Sequence, residues 1–484
     1  MDGPGPRAAM KGFSDEGKKA ALRKRFDCLA RDRDRWQRKN RYYYEDQRRY
    51  FQFLVPEGLR VLEIGCGLGD LLAAVKPARG LGIDLSEAMV KEARKRHPHL
   101  EFRVDDAESL DLDEPFDVII LADVLGHLLD IEVALRNLRR ACTARTRLII
   151  AYYNFLWEPL LQLAERVGLK MPQQQQNWLT SGDLLNLLRL TDFDVVKIEK
   201  RLLFPKHIPL LSTFMNRLLA TLPGFRAACL CQYIVARPLL RREEREYSAT
   251  VVIPCRNERG NIEAAVQRLP KFGKEQEIIF VEGHSTDGTE DEIKRVIACH
   301  PERRIRLLIQ DGKGKGDAVR KGFAHATGEV LMILDADLTV PPEDLHKFYE
   351  AIAQGKGEFI NGSRLIYPLE QQAMQFLNLL GNKFFSMAFS WLLNQRIKDT
   401  LCGTKVLFRE DYLRIAANRY YFGEFDPFGD FDLLFGASKL NLKILEVPIR
   451  YQERSYGTTN IRRFAHGWLL LKMTVYGFFR LKAV

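Results

Sequence analysis

The segment EVLMILDADLTVPPEDL, residues 329–345, places two aspartates directly after an apolar run. The run at 330–334 is apolar enough for a strand buried on both faces of a parallel sheet. Asp335 and Asp337 follow it, and side chains two apart on an extended segment point the same way. Two converging carboxylates repel unless a cation lies between them, and hard oxygen ligands suit Mg²⁺ or Mn²⁺. The spacing therefore predicts a divalent metal site, with a solvated acidic turn as the alternative.

Polar residues also follow three other apolar or glycine-rich runs in the second half of the chain, at 251–262, 280–293 and 311–329. In open α/β sheets, ligands bind beyond the carboxyl ends of the strands. Basic side chains and free helix amides at that edge, next to a metal ion, would bind a diphosphate. Pro254 is expected to halt the first strand, and a helix is expected to start near Asp317. The candidate residues are Pro254, Asn257, Glu258, Glu282, Asp287, Lys313 and Asp317.

A glycine-rich loop in the first half, RVLEIGCGLGD at 60–70, indicates a different ligand. Its glycines let backbone amides approach a ligand and lead into a predicted helix N-terminus. The next predicted strand ends in Asp84, where a carboxylate can accept both hydroxyls of a ribose. The third ends in Asp105 and Asp106, one of which can accept from an adenine amino group. Dinucleotide-binding proteins use similar loops, so the pattern predicts a bound nucleoside without naming it. The loop glycines are Gly65, Gly67 and Gly69.

The composition of the chain limits the classes of partner that it is expected to bind. The chain has 484 residues and a net charge of +11, which favours an anionic partner such as nucleic acid, membrane headgroups or phosphates. Its eight cysteines include no CxxC pair, so reduced thiols in a cytoplasmic setting are expected. No signal peptide and no spanning helix are predicted. The apolar stretches 376–393 and 464–482 carry basic interruptions, and they are predicted to be amphipathic helices that either lie in a membrane interface or pack on a domain.

Alternating strand and helix signals predict two tandem doubly wound α/β domains. A basic, Tyr-rich arm at 1–47, disordered over its first dozen residues, precedes a first domain at 48–238. A charged linker at 239–248 leads to a second domain at 249–484. The arm interleaves aromatics with Arg and Lys, so an RNA-binding methyltransferase is one alternative reading of the chain.

Over residues 55 to 200 the chain resembles the class I S-adenosylmethionine-dependent methyltransferases, which have a Rossmann-like fold. EIGCGLGD matches the cofactor loop with Glu63 just before the glycines, Asp84 matches the ribose-binding acid, and Asp106 best matches the acid at the adenine edge. The resemblance implies S-adenosylmethionine as cofactor. Where many relatives have an acid in VLEHL, this chain has Gly126, followed by His127. His127 is either a general base or a packing residue at a helix start.

From 249 to 463 the chain resembles the family 2 inverting glycosyltransferases of the GT-A fold, particularly those that act on polyprenyl phosphates. IPCRNE, EGHSTDGT, DAD, GSR, DTLCGTKVLF, FGDFDLL and EVPIRYQERSYGTTNI follow in family order. Gly283 and His284 replace residues of the usual motif, which puts the contacts to the nucleoside base in doubt. Thr459 and Asn460 stand where the family commonly has Ser-Lys, which removes one positive charge at the acceptor side.

The second resemblance implies a hexosyltransferase that uses a nucleotide sugar and Mg or Mn at Asp335 and Asp337. Arg364 and Arg454 would hold a lipid-phosphate or cell-envelope acceptor, with a structural ion pair as the alternative for Arg364. Asp432 would be a base or a partner of the metal site. Together the two halves predict a bifunctional enzyme without a nucleic-acid partner, attached peripherally at the inner face of the plasma membrane. A non-catalytic methyltransferase-like scaffold is the remaining alternative for the first half.

Overall fold

The computed structural model describes residues 15–173, 176–239, 245–366, 376–421, 429–452, 454, 456 and 463–483. The chain folds into two compact units, Met1–Leu240 and Arg241–Val484. The first 14 residues of the basic arm lie outside the described residues, as do Thr459 and Asn460.

The first unit is built on one seven-stranded sheet in the order β3-β2-β1-β4-β5-β7-β6. The first five of these strands run parallel, and β7 is antiparallel to both of its neighbours. The strands are β1 (Arg60–Ile64), β2 (Arg79–Asp84), β3 (Glu101–Val104), β4 (Phe116–Ala122), β5 (Cys142–Tyr153), β6 (Phe193–Arg201) and β7 (Cys231–Pro238).

The helices of the first unit include the basic segment that precedes the sheet. They are α1 (Asp15–Lys39), α2 (Arg41–Leu54), α3 (Asp70–Ala74), α4 (Glu87–Arg96), α5 (Ile131–Leu138), α6 (Glu158–Arg166), α7 (Ser181–Leu190), α8 (Leu211–Thr213) and α9 (Pro223–Arg226). Ser86 caps α4 by accepting from the Met89 N–H, and Thr180 with Asp183 forms a capping box on α7. The core lies between the central strands and the helices α5 and α7.

The second unit has its own seven-stranded sheet, in the order β10-β9-β8-β11-β13-β12-β14. The strands β10, β9, β8 and β11 run parallel, and β13 is antiparallel to β11 and β12. The strands are β8 (Ala249–Cys255), β9 (Gln276–Glu282), β10 (Arg304–Ile309), β11 (Val330–Ile333), β12 (Phe359–Ser363), β13 (Lys405–Phe408) and β14 (Ile444–Pro448).

Helices cover this second sheet, and its core joins the apolar strands to α10, α11 and α13. The helices are α10 (Ile262–Gln267), α11 (Thr289–Cys299), α12 (Lys315–His325), α13 (Leu345–Ala353), α14 (Phe376–Leu393), α15 (Arg409–Ala417), α16 (Asp430–Lys439) and α17 (Arg463–Gly477). The two doubly wound α/β folds predicted from the sequence are therefore confirmed. Within the described residues, no helix is long and apolar enough to cross a membrane.

Candidate active sites

The glycine loop of the first unit joins β1 to α3 at the carboxyl end of the sheet. Gly65 has a φ of 72°, and a Cβ there would lie 2.7 Å from Val124 Cγ2, so no other residue fits without a shift. Gly69 is the N-cap of α3 with a φ of 77°. The loop thus presents backbone amides, including that of Gly67, at the end of the sheet.

Asp84 is fixed at the end of β2 by this loop. Its Oδ2 accepts from the Gly67 N–H at 2.8 Å, and its Oδ1 accepts from the Ser86 N–H at 2.9 Å. Burial raises the pKa of Asp84, although both backbone hydrogen bonds act to lower it. The carboxylate is therefore oriented before any ligand arrives.

A cleft of about 1030 Å³, counting the space open to solvent, lies beside the loop and Asp84. Six of the predicted residues line it together: Gly65, Gly67, Asp84, Asp105, Asp106 and His127. Glu63 is different, because it is buried within β1 and burial raises its pKa well above the usual value. Its buried Oε2 atom has no hydrogen-bond partner among the described residues.

Helix α1 covers this cleft, a role that the sequence analysis did not assign to it. Lys19 forms ion pairs with Asp106 Oδ2 at 2.5 Å and with Glu108 Oε2 at 3.0 Å. About two turns further along α1, Asp27 Oδ1 accepts from the Ser86 hydroxyl at 2.6 Å. The basic arm therefore contributes side chains to the cleft itself.

Arg33 is the main lining residue that sequence reasoning missed. It lines the cleft, and its buried Nε atom has no hydrogen-bond partner among the described residues. Asp123, another lining residue with a φ of 56°, accepts from the Tyr43 hydroxyl at 2.7 Å and from Gln47 Nε2 at 3.0 Å. Burial raises the pKa of Asp123. The only local signal was the dense run of Arg and Tyr before β1, which matches no motif.

His127 lies at the end of a 3₁₀ turn, Leu125–His127, on the wall of the cleft. Its ring meets Phe26 of α1 edge-on, with the centroids 5.1 Å apart. Burial lowers the pKa of His127 to about 4, and nearby Arg33 and Lys170 act in the same direction. The imidazole is neutral at pH 7, and a pKa this low makes it a weak general base.

The His127→Gln variant is expected to flatten the pH dependence of stability between pH 6.5 and pH 4. Because the folded pKa lies below the unfolded value, the unfolded chain binds more protons in this window, and the wild type loses stability as the pH falls. The variant should take up about one proton fewer on unfolding near pH 5. Urea unfolding at pH 7 and pH 5 measures this. The exposed His99→Gln serves as control, and equal pH slopes in both variants would contradict the assignment.

In the second unit, hydrogen bonds join the loops that follow β8 and β9. Asn257, with a φ of 58°, donates its N–H to Ser285 Oγ at 2.9 Å, and its Oδ1 accepts from the Thr286 N–H at 2.8 Å. Glu282 Oε1 accepts from the Ser285 N–H at 2.6 Å. Asn257 and Glu282, two of the predicted site residues, therefore take part in the same set of hydrogen bonds at one edge of the sheet.

The neighbouring loop residues form a second group of hydrogen bonds. Asp287 Oδ1 accepts from the Thr289 N–H, and Glu258 donates its own N–H to Thr289 Oγ1, both at 3.0 Å. Hydrogen bonds lower the pKa of Asp287 although burial acts to raise it. Lys313 is exposed, and Asp317 Oδ2 accepts from the Gly312 N–H at 2.9 Å within the first turn of α12.

The prediction that Pro254 halts its strand is wrong. Strand β8 continues to Cys255, and Pro254 pairs in register with Val281. The ladder between β8 and β11 already ends at Val252, so the missing N–H of the proline removes no bond of that ladder.

The extended conformation predicted for Asp335 and Asp337 is also wrong. Strand β11 ends at Ile333, and the Leu338 N–H donates to the Asp335 carbonyl oxygen at 3.2 Å, which closes a turn. A Cβ on Gly403 would overlap the Asp335 carboxylate, so the loop before β13 closes over this turn. The two carboxylates project from a turn, and their directions are set by their partners rather than by strand alternation.

Both carboxylates are paired with cations. Asp335 Oδ1 lies 2.5 Å from Lys315 Nζ, and Asp337 Oδ2 lies 2.7 Å from Arg454 Nη2. Arg454 also reaches Glu258 Oε1 at 3.2 Å. Burial raises the pKa of Glu258, and Arg454 opposes that shift. Three acids and two cations thus form two ion-paired groups at the carboxyl edge of the second sheet.

The donor chemistry of these two groups fits a hard divalent cation. Mg²⁺ is usually held by one or two carboxylates together with phosphate oxygens, and Asp335 and Asp337 supply two carboxylates. Among the described residues there is no group of three His, Cys, Asp or Glu side chains that could hold a metal ion by itself. A cation here would depend on ligands from a bound diphosphate.

Arg364 and Asp432 have partners that the sequence did not reveal. Arg364 Nε and Nη2 donate to the two oxygens of Asp399 at 2.6 and 2.8 Å, and Asp399 is completely buried. Burial acts to raise the pKa of Asp399, but Arg364 outweighs it and the pKa falls. The structure thus contains the ion pair that was the alternative for Arg364. Asp432, 7% exposed on α16, pairs with Arg419 Nε at 2.7 Å.

Arg364→Met is expected to destabilise the second unit by about 3–5 kcal/mol, because it leaves the buried Asp399 carboxylate without its charge partner. Urea unfolding at pH 7 measures the loss. Arg268→Met is the matched control, since Arg268 pairs with Glu343 in the same two-pronged way at the surface and should cost at most about 1 kcal/mol. Similar losses in the two variants would show that burial does not increase the contribution of the Arg364–Asp399 pair to the free energy of unfolding.

Comparison with known proteins assigns the two units separately. Residues 36–198 match the family model described as a methyltransferase domain. The solved structure of a SAM-dependent methyltransferase from Thermotoga maritima is 22% identical and has a TM-score of 0.36, over 44% of this chain and 98% of that one. Magnesium protoporphyrin IX methyltransferase of Synechocystis, solved with bound SAH, is 19% identical with a TM-score of 0.33, over 46% and 99%.

Residues 250–414 match the model described as glycosyl transferase family 2. The dolichol-phosphate mannosyltransferase of Pyrococcus furiosus is 30% identical over 220 residues, which are 44% of this chain and 59% of that protein. Glycosyltransferase AglJ of Haloferax volcanii is 28% identical over 196 residues, 40% of this chain and 60% of that protein. The chain thus spans less than two thirds of the length of these relatives. Its first unit thus carries the match to a methyltransferase domain, and its second unit carries the match to glycosyl transferase family 2.

Proposed function

We propose that the second unit transfers a sugar from a nucleotide-diphosphate sugar to a lipid phosphate, and that the first unit transfers a methyl group from S-adenosylmethionine. The observation that carries the sugar-transfer proposal is the presence of two ion-paired groups at one sheet edge, Lys315 with Asp335 and Arg454 with Asp337 and Glu258. The similarity to enzymes named as dolichol-phosphate mannosyltransferases and a dolichyl-phosphate glucosyltransferase supports the acceptor class.

The sugar transfer needs charge stabilisation more than proton transfer. An oxygen of the lipid phosphate bonds to the anomeric carbon of the sugar, and the bond from that carbon to the diphosphate breaks with its electron pair on the diphosphate. The phosphate acceptor is already ionised near pH 7, so no base has to remove a proton. Lys315 and Arg454, which pair with Asp335 and Asp337, would stabilise the charge that develops on the leaving diphosphate. A divalent cation held by Asp335 and Asp337 would add Lewis-acid stabilisation when bound.

For the methyl transfer, the residues of the cleft would bind and orient the cofactor. Asp84 would accept from the ribose hydroxyls, and Asp106 from the adenine amino group. Arg33, with its unpaired buried Nε among the described residues, is the cation available for the cofactor's carboxylate. The cofactor supplies an electrophilic methyl group. His127, neutral at pH 7, would form part of the wall on which the acceptor rests.

Attachment to a membrane surface would bring the second unit to a lipid acceptor. Helices α14 and α17 pack against each other, and Trp391 stacks on Phe478 at 5.7 Å between centroids. Their outer faces expose large apolar side chains beside the exposed lysines 383 and 472. This tail surface consists of Phe384, Met387, Trp468, Leu471, Val475 and Phe479. Apolar bodies with basic neighbours suit a helix pair lying in an interface.

The test is sugar transfer by the full chain into vesicles that contain a polyprenyl phosphate. Labelled nucleotide sugars with different bases and sugars are supplied with Mg²⁺ or Mn²⁺, and the label is followed into the organic phase. Transfer that requires the polyprenyl phosphate supports the proposal. Label that appears only as free sugar, with and without the lipid phosphate, would exclude the proposed acceptor while leaving the sugar-nucleotide assignment in place.

A further inference from the structure

Helix α6 of the first unit carries an exposed apolar stripe. Leu156 precedes the helix, and Leu160, Leu163 and Val167 follow at spacings of four, three and four residues, with exposed fractions of 53%, 55%, 56% and 60%. Residues at these spacings share one face of a helix. A helix of a soluble domain normally buries such a face against its own core, so this stripe is unpartnered within the described part of the chain.

A second exposed apolar set follows β6. Leu210 is the most exposed, at 87%, and it has the strained φ of 64°. No Asp or Glu occurs between Glu199 and Glu243, whereas His207 and Arg217 are exposed. The large apolar side chains exposed in this segment are Ile208, Leu210, Leu211, Phe214, Leu218, Leu222 and Phe225.

Hydrogen bonds place these two sets next to each other. Trp157 Nε1, at the start of α6, donates to the Ala228 carbonyl oxygen at 2.7 Å, just beyond the second set. After α6 ends, the Gly168 carbonyl oxygen accepts from Lys39 Nζ at 2.5 Å. The adjacent Asn40 accepts at its Oδ1 from Lys206 Nζ at 2.9 Å, at the beginning of the second set. At both ends, the two sets are therefore held close to each other by hydrogen bonds to the same part of the unit. We call the exposed apolar side chains of 155–169 and 208–225 the apolar patch.

We propose that the apolar patch docks the methyltransferase unit on a bilayer that contains anionic lipids. Contiguous exposed apolar surface of this extent marks an interaction site. The charge around the patch favours an anionic partner, because its exposed charged side chains, Arg166 and Arg217, are both basic and its second set contains no acid. The two acids of α6, Glu158 and Glu165, are only partly exposed, and Glu165 pairs with Lys170. A Leu- and Phe-rich surface whose exposed charges are basic is the composition that binds an anionic headgroup layer. The proposal stands apart from the sugar-transfer proposal, since it rests on residues of the first unit alone.

The test uses the full chain with Phe384→Gln, Trp468→Gln and Phe479→Gln, so that the tail surface of the second unit does not mask the result. Binding is measured by flotation with vesicles of equal parts phosphatidylcholine and phosphatidylglycerol, and with vesicles of phosphatidylcholine alone. We expect this background to float with the anionic vesicles and less with the neutral ones. Adding Leu160→Gln and Leu210→Gln should weaken the binding about tenfold or more, because two apolar side chains are lost from the interface.

The matched control adds Val133→Gln and Leu190→Gln, which are exposed apolar residues of the same unit outside the patch, at 38% and 52%. This control should bind as the background does. Affinity for S-adenosylhomocysteine and the melting temperature show that each variant is folded. Equal binding by the patch variant and the control would overturn the proposal. A dimer of the background in solution that the patch variant dissociates would overturn it too, because a second copy would then be the occupant of the patch.

Discussion

Asp337→Asn is expected to lower the kcat of sugar transfer by about 100-fold or more, which is the size of effect seen when a charge that stabilises a transition state is removed. The substitution removes one of the two carboxylates after β11. It also removes one of the two carboxylates that pair with Arg454. The fold should persist, because an asparagine oxygen can still accept from the Thr339 N–H, as Asp337 Oδ1 does at 3.1 Å.

The measurement is initial-rate transfer from the preferred nucleotide sugar across a range of Mn²⁺ concentrations. A metal role predicts that the variant needs more Mn²⁺ for its residual activity, whereas a purely electrostatic role of Arg454 predicts a loss that Mn²⁺ does not change. Glu350→Gln, an exposed carboxylate-to-amide change on α13, is the control and should keep full activity. A variant that transfers sugar at the rate of the parent would refute the role of this edge in the chemistry.

Asp84→Asn is expected to weaken the binding of S-adenosylhomocysteine by about 100-fold, because hydrogen bonds from two ribose hydroxyls to a carboxylate are charge-assisted and an amide offers one acceptor only. The structure favours a local effect. The Gly67 and Ser86 N–H groups both donate to this carboxylate, and one of them would lose its acceptor on substitution. Isothermal calorimetry at pH 7 measures the loss.

Glu87→Gln is the control for this second experiment, since Glu87 is exposed in the first turn of α4 just beyond Asp84. It should bind S-adenosylhomocysteine as the parent does. A parent chain that does not bind the ligand at all would identify the first unit as a scaffold without cofactor. Equal affinity in the parent and Asp84→Asn would instead remove Asp84 from the site.

Local patterns in the sequence predicted the elements well. Residues 60–64 include β-branched and other apolar side chains that favour a strand, and glycines follow them. In the structure they form β1, and the glycines form the loop after it. Asp84 ends its strand and contacts that loop, because the carboxyl ends of neighbouring parallel strands meet at one edge. Pro254 and Asp335 were misjudged for the opposite reason. The register of β8 with β11 depends on residues far apart in the chain, and the loop that packs over the 335–338 turn contains the distant Gly403.

Side-chain partners were the part that sequence patterns could not supply. Arg364 lies 35 residues from Asp399, and nothing in the local pattern distinguishes a buried ion pair from a free cation. Arg33 and Lys19 lie on a helix that the sequence marked only as basic, and their position over the cleft depends on how α1 packs against α4. Such packing follows from complementary surfaces that are separate in sequence, and no periodicity encodes it.

The sequence by itself determined two α/β units and the residue types at the strand ends, because strand and helix periods and glycine loops are local properties of the chain. Tertiary structure alone decided which charges meet. Lys315 joins Asp335, Arg454 joins Asp337 and Glu258, and Arg364 is taken by Asp399. It also decided which apolar side chains stay exposed, since burial depends on what packs over a residue. A charge or an apolar face acquires its role from the groups that folding brings to it.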